Sequence, residues 1–302
     1  MIKTVTVINH KNESLVLELT NPWETGIIVE RVEGLGAPKA NVSLTDFATA
    51  DGAMYSSVRA ETRNIVLTLA PIARPTTVEE SRHKIYRYFP IKKEITLIFD
   101  TDTRHAEIKG YVESNEADIF SDHETCQISV LCPDPYFYED ELEETIFSGV
   151  EPMFEFPFSN ESLTEDLIVM GEIVEDRRVT LEYDGDVDAG MVITVHALGK
   201  FQNLIIYNVD TYERFRLDTD KVESITGLPI DVGDDVIIST YGGNKYVRLL
   251  RDGKYTNIIG AIDRDSDWFL LSAGGNTFTF TVSQGDINVE ITFTYRNAYG
   301  GV

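Results

Sequence analysis

Apolar and polar positions alternate along most of the chain, in runs too short for helices and bounded by turn residues. In the first half the runs are KTVTVIN, SLVLEL, GIIVERV, RNIVLTLA, EITLIFD, AEIKGYVES and CQISVLC. Their period of two and their β-branched content predict strands of an all-β domain. The second half continues with MFEFPF, DLIVMGEI, RRVTLEYDG, GMVITVHAL, NLIIYNV, ERFRLD, DDVIISTYGGNKYVRLL, NTFTFTV and VEITFTYRNAYGGV. Short alternating strands at this spacing predict a β-sandwich, and TYGGNKYV reads as a hairpin turn in which Gly and Asn supply positive φ. PTTVEESRHKIYRYFP departs from the pattern. Thr77 and Glu80 stand at capping-box spacing, and Val78, Arg82, Ile85, Tyr86 and Phe89 fall on one helical face before Pro90 stops the element. This is the one helix that the periodicity predicts.

The stretch VLCPDPYFYEDELEE, residues 130–144, sets the domain layout. Pro133 and Pro135 lack the N–H that a ladder requires, so the strand ends there. Tyr136, Phe137 and Tyr138 are placed to pack back as a plug, and EDELEE carries too much like charge for a core. Pro133, Asp134, Pro135 and Tyr136 therefore mark a boundary. The expected layout is an N-terminal domain over residues 1–138, an acidic linker over 139–150 and a second domain over 151–302.

Between GIIVERV and RNIVLTLA lies EGLGAPKANVSLTDFATADGAMYSSVRAET, rich in Gly, Ala, Ser and Thr. A segment this long with few residues to bury is either a surface loop or hairpin, or an arm that becomes ordered against another chain. Phe47, Met54 and Tyr55, which need somewhere to bury, favour the arm. Gly34 and Gly36 do not form a dinucleotide loop. Lys39 stands where the third glycine of GxGxxG belongs, and no helix follows.

Charge narrows the function classes. The 302 residues carry a formal charge of −25. Residues 1–135 hold 14 Lys and Arg against 20 Asp and Glu, net −6; residues 136–302 hold 12 against 31, net −19. Such a chain is a poor binder of nucleic-acid phosphates, which are held by Lys and Arg. No window approaches the roughly 18 apolar residues of a membrane span. The alternating N-terminus reads as a first strand and not as a signal peptide, so synthesis in a cytosol is expected. Cys126 and Cys132 lie on one strand face about 20 Å apart, too far for a disulfide, and are expected as small buried hydrophobes.

Motifs for catalysis are missing. His10, His83, His105, His123 and His196 show no metal-ligand spacing, and there is no GxSxG elbow. Asp184, Asp186 and Asp188, like Asp263, Asp265 and Asp267, follow the 1, 3, 5 order of a calcium loop. Their twelfth positions are Val195 and Gly274, which leaves them as turns. Any carboxylate pair could be nominated as a hydrolase dyad, so none is informative. Trp23 and Trp268 are expected in a core or interface, with sugar stacking the lesser reading. No cofactor, metal or catalytic residue is expected.

Four stretches together resemble the distal tail protein family of long, non-contractile-tailed bacteriophages, the siphovirus-type tail components. They are the arm VEGLGAPKANVSLTDFATADGAMYSSVRAETRNIVLTL, the helix EESRHKIYRYFPIKKEITLIF, the strand exit ISVLCPDPYFY, and DWFLLSAGGNTFTFTV with NVEITFTYRNAYGGV. The match covers most of residues 25–138 and the C-terminal end, and is loose over 150–250. The resemblance implies a mainly β protein. Its N-terminal domain would be a tail-tube-like β-sandwich or split barrel with one helix, and its C-terminal domain a galectin-like or carbohydrate-module-like sandwich. It further implies a non-enzymatic hub at the virion's tail tip, assembled in the host cytoplasm. The hub would be a homohexameric ring that joins the tail tube to the tip or tail-associated lysin protein and to a receptor-binding protein, and lets DNA pass. The arm Gly34–Ala60 would lap a neighbouring subunit, with Gly34, Leu35, Gly36, Pro38, Asp51, Gly52 and Tyr55 as ring-forming residues. Six copies would carry −150 formal charges, six times −25, of which only those in residues 1–135 could line the channel and repel DNA. The alternative is a carbohydrate-binding module on a tail scaffold, touching host glycans.

Overall fold

The computed structural model describes residues 1–47, 51–148, 150–152, 171–173 and 178–302. The chain forms two compact units, one of residues 1–140 with 298–302, the other of residues 141–297. The first contains β1 (Thr4–Ile8), β2 (Ser14–Glu18), β3 (Ile27–Glu33), β4 (Ala40–Asp46), β5 (Ala53–Ala60), β6 (Arg63–Pro71) and helix α1 (Val78–Tyr88). It continues with β7 (Glu94–Asp100), β8 (His105–Asp118), β9 (Thr125–Cys132) and β10 (Phe137–Glu139). Seven strands form the main path of a nine-stranded antiparallel sheet, in the order β2-β1-β7-β8-β9-β6-β3, and β10 joins it on β8. Alternate residues turn inward to one core: Val5 and Val7, Leu15 and Leu17, Ile65 to Leu69, Ile95 to Phe99, and Cys126 to Cys132. Both cysteines are buried and unbridged, as expected. Burial pushes the Cys132 thiol up to about 12, which leaves it inert.

Helix α1 closes this core. The capping box is present: Thr77 Oγ1 accepts from the Glu80 amide, and Glu80 Oε2 accepts from the Thr77 amide. The buried face is turned slightly from the expected one. Ser81, Ile85 and Phe89 are inside, whereas Tyr86 is exposed. Ser81 tolerates burial because its hydroxyl donates to the Ile72 carbonyl at 3.1 Å. Arg82 pairs with Glu124 at 2.6 Å.

The second unit contains β11 (Glu143–Ser148), β12 (Val150–Pro152), β13 (Gly171–Ile173), β14 (Val179–Tyr183), β15 (Val192–Ala197), β16 (Leu204–Asn208) and β17 (Arg214–Leu217). After helix α2 (Thr219–Thr226) come β18 (Asp235–Ser239), β19 (Tyr246–Arg251), β20 (Lys254–Asn257), β21 (Gly274–Thr281) and β22 (Val289–Tyr295). A six-stranded sheet, β11-β22-β15-β18-β19-β20, faces a four-stranded sheet, β14-β21-β16-β17. Aromatic pairs close the space between them: Phe147 with Phe280 at 5.1 Å, Phe278 with Phe293 at 5.0 Å, and Tyr183 with Tyr295 at 6.1 Å. The mainly β sandwich expected from the alternation is what forms.

Four details differ from expectation. Residues 139–150 are not a linker, because Glu143–Ser148 is the edge strand β11, paired with β22. An edge strand leaves Glu143 and Glu144 in water while Phe147 turns inward, so the like charge is tolerated. Helix α2 was masked by its lack of a long apolar period. Asp218 caps it by accepting from the Asp220 and Lys221 amides, and Gly227 ends it in the left-handed region. In the turn before β19 only Gly243 of the two residue types has positive φ, not Asn244. Finally, VEITFTYRNAYGGV is not one strand. After β22 the chain leaves the sandwich, and β23 (Ala298–Tyr299) pairs with β10 in the first unit, Phe137 opposite Tyr299. The predicted strand MFEFPF, and DLIVMGEI ahead of Gly171, lie outside the described residues.

Each unit holds one tryptophan, Trp23 and Trp268, so the return of the chain is directly testable. Deleting Ala298–Val302 removes buried Ala298 and Tyr299. It is expected to destabilise the first unit by about 3–5 kcal/mol and to leave the second unchanged. Denaturant unfolding followed in single-tryptophan variants checks this. A second expectation concerns acid. Arg87 in the last turn of α1 holds Glu13, at 2.6 Å, on the turn between β1 and β2. With a further bond from Asn9, this lowers the Glu13 carboxyl from 4.5 to about 2. A depressed carboxylate contributes stability above its ordinary value and loses it as pH falls through the folded one. The wild type should therefore lose more stability than Glu13→Gln between about pH 4.5 and 2.

Candidate assembly interface

Among the described residues, strands β4 and β5 pair with each other and with no other strand. Their residues are exposed almost throughout, including Val42, Leu44, Met54, Tyr55 and Val58 at 50–60%. The segment read from sequence as a loop, hairpin or arm is thus a projecting two-stranded hairpin. At its tip the Phe47 amide donates to the Gly52 carbonyl at 3.4 Å, with Asp51 and Gly52 in the turn.

The pairing sorts its side chains. Val42 stands opposite Val58, but Leu44 stands opposite Tyr55, because Ser56 is an extra residue that shifts the register after Ser43. Directly opposed residues share a face, and so do residues two apart on a strand. The bulge therefore brings Tyr55 to the face of Val58. Val42, Leu44, Tyr55 and Val58 form one apolar face, and Asn41, Ser43, Thr45, Ser57 and Arg59 lie on the other with Met54. In regular register Tyr55 would lie among the polar residues. Thr45 Oγ1 and Ser56 Oγ, 2.9 Å apart, hold the bulge.

The root of the hairpin is fixed by one buried side chain. Arg63, first residue of β6 and 4% exposed, donates Nη1 to the Gly34 and Gly36 carbonyls at 2.5 Å each, Nε to the Pro135 carbonyl at 2.6 Å, and Nη2 to the Gly300 carbonyl at 2.7 Å. Its guanidinium lies 4.5 Å from the centre of the Phe137 ring. Burial pushes its pKa down from the ordinary arginine value, and the four acceptors offset that cost. Gly34 is required here: its φ is +86°, and a Cβ would come 2.2 Å from the Asn64 carbonyl oxygen. The returning chain end is held at the same place. The Val302 amide donates to the Leu35 carbonyl at 3.1 Å, Arg104 Nη1 donates to the Gly301 carbonyl at 2.7 Å, and Arg104 lies over Tyr299 at 4.2 Å.

The structure separates the sequence-nominated residues into two groups. Gly34, Leu35 and Gly36 are intrachain anchors, with Leu35 packed on the core, and Pro38 is half-buried between root and strand. Asp51, Gly52 and Tyr55 are on the exposed hairpin. The boundary residues converge on the same root. Pro135 supplies a carbonyl to Arg63. Asp134 accepts from the Tyr136 amide and, at 2.8 Å, from the Tyr138 hydroxyl, and Tyr136 leads into buried Phe137. Phe137 packs edge-on against Phe99 at 5.9 Å, the expected plug. Sequence reasoning missed Arg63, whose only signal was a lone cation opening an apolar strand. It also missed Val42, Leu44 and Val58.

Elsewhere, His123 contacts Glu30 and His196 contacts Asp235, each at 2.5 Å, and His105 contacts Asp100. Among the described residues no three His, Cys, Asp or Glu side chains converge as a metal site. Asp263 sits in a turn, accepting from the Arg264 and Ser266 amides. Trp268 is half-buried edge-on to Phe215 with Lys245 over its ring at 5.3 Å, so that face is already occupied.

Comparison with known proteins agrees with this architecture. Residues 184–299 match the family model of the siphovirus-type tail component, C-terminal domain, which bears out the resemblance read from the sequence. The fold over the whole chain is similar to that of the Dit protein of phage SPP1, described as a paradigm of the hub adsorption apparatus in phages infecting Gram-positive bacteria. The TM-score is 0.62 at 12% identity, covering 97% of this chain and 98% of that one. A chain of the phage P2 baseplate in its activated conformation with calcium is similar at a TM-score of 0.50 and 12% identity, covering 97% and 98%. No curated protein sequence matches the chain.

Arg63→Met keeps the stem but leaves four carbonyls without their donor, and should destabilise the first unit by about 3–5 kcal/mol. Arg63→Lys should restore only part, since one ammonium does not span the fork. Equilibrium unfolding reported by Trp23 checks both.

Proposed function

We propose that the protein is a non-enzymatic structural hub of a long-tailed phage. Its first unit would form a homohexameric ring that joins the tail tube to the tip, or tail-associated lysin protein, and to a receptor-binding protein, with a channel for DNA. It would reside in the virion and assemble in the host cytoplasm. The observation that carries this reading is the hairpin β4–β5, a sorted apolar face in water on a rigid root, in a chain whose fold follows a phage hub protein from end to end. A lone exposed hairpin is marginally stable, and an apolar face of this kind marks an association surface. The acidic balance of residues 1–135, net −6 per copy, disfavours adhesion of DNA in transit.

Solution mass by light scattering tests the assignment. Because Gly34 and Gly36 hold Arg63, the informative variant keeps residues 34–40 and replaces only 41–59 by a short turn. The full chain, alone or with its tube and tip proteins, is expected as a hexamer, and the variant as a folded monomer. A full chain that stays monomeric in the presence of both partners refutes the ring.

A further inference from the structure

The outer face of the first unit's sheet carries an apolar patch near the hairpin root. Glu94, Tyr111, Leu131 and Asn64 form one row across β7, β8, β9 and β6. Tyr111 is 46% and Leu131 38% exposed, and Ile91, 52% exposed, lies in the turn whose next residue, Lys92, donates its amide to Val112. The Tyr111 hydroxyl donates to Glu94 at 2.8 Å, which ties the side chain to its neighbour in the row. Exposed Lys92, Lys93 and Lys109 border the patch, and among the described residues none of the three has an ion-pair partner.

The hairpin has the complementary pattern. Its apolar face, Val42, Leu44, Tyr55 and Val58, continues into Asp46 and on to Asp51 at the tip, and neither acid has an ion-pair partner among the described residues. Residues 34–60 hold Lys39 and Arg59 against Asp46 and Asp51, a net charge of zero in a chain of −25. Two copies repel each other over most of their surface, so contact is least opposed through this neutral segment. In the structure the hairpin does not cover the patch of its own chain, since both are exposed.

We infer that the apolar face of the hairpin docks on the Ile91–Tyr111–Leu131 patch of a second copy of this chain, with the tip acids over the bordering lysines. Donor and acceptor are different surfaces of one unit, so the contact is heterologous and repeats head to tail, closing into a ring when the rotation allows. The Ser56 bulge sets the composition of the docking face, because it places Tyr55 there instead of Met54. The assignment rests on the ring reading above and adds the acceptor to it.

Cysteine cross-linking decides the matter. Leu44→Cys is combined on one chain with Leu131→Cys, with Tyr111→Cys, or with Val16→Cys, the last an exposed β2 position away from the patch. Cys126 and Cys132 are buried and do not compete. Mild oxidation is expected to yield a covalent ladder up to the closed ring for the Leu131 and Tyr111 pairs, and none for the Val16 pair. Val42→Lys combined with Val58→Lys, two exposed positions that face each other on the docking face, should abolish the ladder while the first unit stays folded by Trp23 emission. A hexamer by light scattering with no ladder at Leu131 or Tyr111 overturns the acceptor and leaves the ring standing. Loss of thiols at monomer mass overturns the second-copy occupant, and a chain that never assembles with its tail partners overturns both.

Discussion

A guanidinium buried at Arg63 has to find its acceptors inside the protein, and in this chain they come from three separate segments. The hairpin root supplies Gly34 and Gly36, the strand exit supplies Pro135, and the returning chain end supplies Gly300. Carbonyls are the fitting partners, since they neutralise the donor fork without adding a second buried charge. Phe137 against the same guanidinium completes the shell. The last residues of the chain therefore belong to the first unit although the 157-position span before them, 141–297, belongs to the second.

From that root the hairpin β4–β5 extends without a core of its own. The one-residue bulge at Ser56 exchanges Met54 for Tyr55 on the apolar face, beside Val42, Leu44 and Val58. The second unit is built on another principle. Its sheets are held by a chain of aromatic contacts, Phe215 to Phe269 to Phe278 to Phe293, and by the Arg251–Asp234 pair at the turn before β18. Among its described residues, that acidic unit fills its core from its own side chains.

Much of the fold is legible in the sequence because strand alternation and helix capping are local. Thr77 and Glu80 announce α1, Pro133 and Pro135 end β9, and Cys126 and Cys132 sit inward as their even spacing requires. The candidate site was legible only in outline. Gly, Ala and Ser with Phe47, Met54 and Tyr55 signal a segment in want of a surface, but the partners of Arg63 lie 27 to 237 residues away, and no local pattern encodes them. The acidic run at 139–144 misled because charge density was read without knowing that Glu143 and Glu144 would stand on an edge strand.

The sequence by itself determined that this is a mainly β, strongly acidic protein with a capped helix after Thr77, a strand that ends at Pro133, and a weakly cored arm. Those properties follow from period, composition and turn chemistry, which act over a few residues. Tertiary structure alone decided that the chain end returns to the first unit, that Arg63 gathers the root, and that Tyr55 joins Val42, Leu44 and Val58 on one face. Each of these depends on which distant segments meet and in what register, and a shift of one residue reverses the face a side chain takes.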